Sequence, residues 1–228
     1  MTEREAKILK LIEQHRYLTT GMIQSALFCF PSGKDKAWQV LRKMHRRGLI
    51  NRFREGEYIY HTGAKSKKWR HWLDLARFHF ALLSELKSWQ RIIFWQPEVK
   101  YPYGIADGLY ILRLTLDGAG VMFFLEYDDG NNPFQKVQQY MAYYQGKSWR
   151  GEWWGSNFPL VLIVTPRAGE IRLMIERSKA GIFRVLSEPK NIIREVTRRD
   201  GIAADRDVKE GDGEERAAGD RLIARRHG

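Results

Sequence analysis

Cysteine is almost missing from this chain of 228 residues. Cys29 stands alone, so no internal disulfide can form, and such usage fits a reducing compartment. No Cys-x-x-Cys or His-Glu-x-x-His spacing occurs, which removes the common zinc signatures. Long apolar runs are missing as well. VMFFL and PLVLIV are the longest, and both fall far short of a bilayer span. The opening MTEREAKILK is charged and has no leader-like apolar stretch. These shortages predict a cytoplasmic protein with no membrane partner. Acidic residues trail basic ones, 27 against 39, giving a net charge of +12 and a pI near 9.8. An acidic polymer is the natural partner of such a chain.

The basic excess is concentrated at the front. Residues 1–70 hold 16 Lys and Arg against 6 Asp and Glu, a net of +10, while the rest hold 23 against 21, a net of +2. Residues 2–15 set Ile8, Leu9 and Ile12 at helical spacing. Thr19 or Thr20 suits the start of a short second helix over GMIQSALF. Pro31 and Ser32 break the chain, and a third helix is expected over 33–47, with Ser32 and Asp35 at capping-box spacing. Its inner face holds Ala37, Val40, Leu41 and Met44, and its outer faces hold Lys34, Gln39, Arg42, Lys43, Arg46 and Arg47. Gly48 ends it, and LINRFREGEYIYH then alternates around Glu55-Gly56 as a hairpin.

Three helices followed by a basic hairpin predict a winged helix-turn-helix over residues 1–63 that binds double-stranded DNA. Lys34, Lys36 and Gln39 lie early in the third helix, where side chains meet base edges. Arg42, Lys43, Arg46 and Arg47, with Arg52 and Arg54 on the wing, are expected on phosphate. The competing reading is a solvated basic helix, and binding by such a module requires no cofactor.

Residues 64–90 read as a linking helix, about 66–89, with Trp72, Leu75, Ala76, His79, Leu82, Leu83 and Leu86 along one face. His71 and His79 fit packed or edge imidazoles better than metal ligands. The wide apolar face packs on the body or supports a homodimer. Residues 91–195 read as a layered α/β domain in the order ββαβαβ, with Arg91–Val99 as a loop or short strand. Asn132 and Pro133 are expected to open the helix that carries Lys136, Val137, Tyr140, Met141 and Tyr144. A lysine in a first helical turn opposes the dipole, so Lys136 is expected to lean toward Glu126 and Asp128. Residues 196–228 are charged and poor in large apolar side chains, and read as a disordered tail.

Asp107 sits in the first strand of a hairpin, and Glu126 and Asp128 close the second, FFLEYDD. Positions two apart share a face, so the three carboxylates are expected to gather at one sheet end, where magnesium could bind. Turn chemistry is the other account of Asp128-Asp129-Gly130-Asn131.

Asp107, Glu126-x-Asp128 and a following helix with Lys136 and Tyr140 resemble the PD-(D/E)xK nuclease fold. With a winged helix in front, IADGLYIL, FFLEYDDGNN, KVQQY and LRKMHRRGLI resemble the replication-relaxation proteins of plasmids and conjugative elements. The likeness covers about residues 5–190. It implies a PD-(D/E)xK-like mixed-sheet domain and a role in plasmid replication and DNA relaxation, with a relaxase or replication initiator as partner. Ala106 stands where the nuclease pattern has Pro, and Asp128 where it has the catalytic Lys. Two functional expectations follow. One is a DNA-binding accessory protein with a non-catalytic, nuclease-like rear domain. The other is a magnesium-dependent endonuclease or nickase with Asp107, Glu126 and Asp128 as ligands and Lys136 as the catalytic cation. A winged-helix transcription regulator is a third.

Overall fold

A computed structural model describes residues 1–198. The expected tail lies outside the described residues from position 199 on. The fold is mixed α/β, with seven α-helices and two sheets among the described residues.

Helix α1 (Glu3–His15) opens with a capping box: the Thr2 hydroxyl accepts from the Glu5 N–H at 3.2 Å, and the Thr2 N–H donates to the Glu5 carboxylate at 2.7 Å. Strand β1 (Tyr17–Thr19) follows, and the Thr19 hydroxyl caps α2 (Thr20–Leu27) through Met22 N–H. Helix α3 (Gly33–Arg46) lacks the expected cap. Thr2 and Thr19 are extended at ψ 160 and 166, but Ser32 sits at ψ 15, so its hydroxyl does not reach the first free N–H groups. What fixes the α2–α3 corner is Gly33: a Cβ there would lie 1.9 Å from the Phe28 carbonyl oxygen. Strands β2 (Asn51–Glu55) and β3 (Glu57–His61) pair around Gly56, whose φ of +72° suits glycine. With β1 they form a three-stranded antiparallel sheet ordered β1-β3-β2.

Helix α4 (Trp69–Glu85) is shorter than expected at both ends. The second sheet is built from β4 (Arg91–Tyr101), β5 (Gly104–Arg113), β6 (Gly120–Tyr127), β7 (Leu160–Val164) and β8 (Phe183–Leu186), neighbours in that order. The first three run antiparallel, and β6, β7 and β8 run parallel through α5 (Lys136–Gly146) and α6 (Ala168–Ser178). The expected loop or short strand at 91–99 is thus a full edge strand of 11 residues. A register shift between Ile92 and Phe94 and a positive φ at Glu98 break its alternation, which disguises it in the sequence. Asn132 and Pro133 stay in the loop, and α5 begins at Lys136. The expected tail also starts too early: α7 (Ile192–Thr197) buries Ile192 and Val196 one turn apart.

One core face of the large sheet carries α4 and α7 and continues without a break into the front helices, from Ile8, Ile12 and Leu41 through Trp72 and Phe78 to Tyr110 and Phe123. The other face lies under α5 and α6, where Leu109, Phe124, Val137, Tyr140 and Ile171 pack. Each such fully buried side chain contributes about 1.5–3 kcal/mol. Most of the apolar face of α4 is therefore covered within the chain. No helix among the described residues is long and apolar enough to cross a membrane.

Candidate functional site

Two surfaces emerge from this frame. The first is α3. Ala37, Leu41 and Met44 are buried, which turns Lys34, Lys36, Gln39, Arg42, Lys43 and Arg46 outward. Arg42 lies over the exposed Trp38 ring, with its guanidinium 5.1 Å from the ring centre. Not all the cations are equally available. Arg47 reaches back to the buried Glu5 at 2.8 Å, and Lys43 lies 4.0 Å from the same oxygen. Arg47 therefore locks α3 to α1. On the hairpin, Arg52 is half-buried over Tyr58 at 4.3 Å, while Arg54 is exposed.

The second surface surrounds Glu126, at the end of β6. The alternation that buries Phe124 sends Glu126 to the same face, under α5. Its carboxylate accepts from the Tyr140 hydroxyl at 2.7 Å and meets the Lys136 ammonium at 3.0 Å. Lys136 also donates to the Ile105 carbonyl oxygen. Burial drives the Glu126 pKa up, the Asp107 charge adds to this, and Lys136 and Tyr140 pull back; the net result is about 8. The expected lean of Lys136 toward Glu126 is present. Its expected lean toward Asp128 is not.

Asp107 turns to the other face, where it lines a small cavity with Trp72, Ala76, Tyr110 and Leu125. One of its oxygens accepts from the Tyr127 N–H at 2.7 Å, and the other meets His71 Nε2 of α4 at 3.2 Å. Burial of the ring opposes protonation, yet the hydrogen bond and charge of Asp107 outweigh it and raise the His71 pKa. His71 is thus a functional-site neighbour that sequence reasoning set aside. His79 is the packed imidazole expected: it lies 4.6 Å from the His15 ring and 3.4 Å from the Tyr110 hydroxyl.

Asp128 lies past the strand end, and its N–H still pairs with the Val164 carbonyl at 2.9 Å. Its carboxylate accepts from Thr165 at 2.7 Å and from Arg167 at 3.0 Å, and Arg167 also holds the Asn132 carbonyl at 2.7 Å. Gly130 N–H donates to Asp128, and Asn131 N–H to Asp129, as turn-forming acids do. The three acids therefore do not converge on one face. Lys136, His71 and Arg167 each engage a different one. Among the described residues no group of three or more His, Cys, Asp or Glu stands ready for a metal ion. As placed, this donor set does not fit a divalent cation, because each carboxylate is already matched by a cation or an imidazole.

No family model, curated protein or solved structure matches the chain.

Proposed function

We propose that the chain is a DNA-binding accessory protein of a plasmid or mobile element, acting in replication and DNA relaxation. The observation that carries this is the exposed basic face of α3 beside the β2–β3 hairpin. The order α1-β1-α2-α3-β2-β3, with an exposed helix face and a hairpin that carries Arg52 and Arg54, suits a winged helix-turn-helix laid in a major groove. The rear sheet, with three antiparallel strands, a helix and a parallel strand, supports a PD-(D/E)xK-like reading. The pairing of every acid favours a scaffold that docks a relaxase or replication initiator, over a hydrolytic site.

The test is binding of labelled duplex by full-length protein across a salt series. Arg42→Ala with Arg46→Ala should weaken binding and lower the salt slope by about two. Unchanged affinity removes α3 from the interface.

A magnesium-dependent endonuclease is the second reading, and one observation favours it: Lys136 comes from the following helix and touches Glu126. It requires the contacts to Asp107 and Asp128 to open. Incubation with supercoiled plasmid, with and without Mg²⁺, separates the two. Nicking by wild type and not by Glu126→Ala, and only with metal, selects the nuclease. Binding without nicking selects the scaffold.

A further inference from the structure

Several rings on the α5 side of the sheet are packed inside, but Tyr103, Tyr144 and Trp153 stand out at 44%, 39% and 53% exposed. They are outward members of a ring network. Tyr103 lies 6.2 Å from Tyr143, Tyr144 lies parallel to Trp149 at 6.5 Å, and Trp153 stands edge-on to Phe94 at 5.2 Å. Packing behind them holds these rings in place, so little freedom remains to be lost when something stacks on them.

Cations sit among the rings. Lys147 ends α5 in the left-handed conformation, and the Arg150 guanidinium lies 5.6 Å from the Trp149 ring centre. Both are exposed, and neither joins an ion pair among the described residues. From 134 to 158 the chain has Lys136, Lys147 and Arg150 against the single acid Glu152. This surface also reaches the Glu126 site. The β4–β5 turn runs beside α5, with Ile105 against Lys136 at the first residue of the helix and the Tyr103 hydroxyl 3.5 Å from where a Cβ of Gly146 would lie at the last. Eleven residues of helix span about 16 Å, the reach of a few nucleotides.

We propose that this face binds single-stranded DNA, with bases stacked on Tyr103, Tyr144 and Trp153 and phosphates held by Lys147 and Arg150. Every base has a π-face, so such stacking tolerates any sequence, whereas a duplex keeps its bases stacked on one another. An apolar protein partner would cover the rings and leave the two cations without counter-charge. The site is separate from the basic face of α3 and stands even if that face grips something other than DNA.

The test is fluorescence anisotropy of full-length protein with labelled dT20, with an abasic strand of equal length, and with a duplex. Wild type should bind dT20 more tightly than the abasic strand. Trp153→Ala should weaken dT20 binding about tenfold or more and leave duplex binding unchanged. Lys147→Ala with Arg150→Ala should weaken it and flatten its salt dependence. Arg42→Ala with Arg46→Ala should spare dT20. The proposal is overturned if wild type does not bind dT20, if the abasic strand binds equally well, or if the Lys147 and Arg150 double variant binds as wild type. Those two positions are exposed, so the last criterion holds even if Trp153→Ala fails to fold.

Discussion

At Glu126 a buried carboxyl meets a buried tyrosine and a lysine that is still partly exposed. The carboxyl prefers its proton there, because burial and the nearby Asp107 outweigh the Lys136 ammonium. Its pKa rises from 4.5 to about 8, so between those values the folded chain holds a proton that the unfolded chain releases. The Glu126 contribution to stability is therefore full below about pH 4.5, falls as pH rises toward 8, and levels off above that. Glu126→Gln should remove this slope. Melting temperatures of the two proteins from pH 5 to 9 should diverge upward in favour of Gln, and parallel curves would contradict it. Lys136→Met takes away the cation that pulls the pKa down, so it should move the midpoint of the slope to higher pH. The Lys136–Glu126 contact was legible because a lysine in a first helical turn needs a negative partner. His71–Asp107 and Asp128–Arg167 were not. Each joins residues far apart in sequence, and each depends on where a helix lies against the sheet.

Helix α3 owes its position to its neighbours more than to its own ends. Gly33 lets the chain turn against the Phe28 carbonyl, and Arg47 ties the last turn to Glu5 of the α1 capping box. Gly33→Ala should force that corner apart and cost about 1–3 kcal/mol, read as a lower midpoint in urea. Thr2→Ala removes one half of the capping box and should cost about 1 kcal/mol by the same measurement. Elements with a clear pattern were readable from sequence: α1, α3 and the β2–β3 hairpin follow a spacing of 3.6 or 2, and β6 and β7 are short continuous apolar runs of the kind buried strands carry. The elements that were missed or read too short lack a long pattern. Strand β1 has three residues, α7 has six, and the alternation of β4 is interrupted at Ile92 and again at Glu98.

The whole molecule is joined where α1, α4 and β4 meet. His15 stacks on Trp95 at 4.7 Å and touches His79 at 4.6 Å, and burial pushes their pKa values down to about 4 and about 3. Both must stay neutral to remain inside. The stability they confer is present above pH 6.5 and is lost as pH falls through about 4. His15→Phe should make the acid transition less steep, as followed by tryptophan fluorescence. The same core crosses the joint without a break. Calorimetry should therefore give one heat-absorption peak for the chain, and two resolved peaks would show that the front helices melt alone. The sequence, read as charge blocks, suggested separate front and rear modules. Charge describes the surface, and it says little about where apolar side chains run on from one block to the next.

Arg16 and Glu98 sit at the edge of that joint, each at a positive φ, of 67° and 50°. They bond to each other at 2.9 Å, and the Arg16 guanidinium stacks 3.6 Å over Trp72. Two residues held in an uncommon backbone shape, clamped across the seam, behave as a bolt rather than a hinge. Under the proposed function, a duplex lying on α3 and the docking face around Glu126 keep one fixed bearing and offset, as a workpiece is held in a jig.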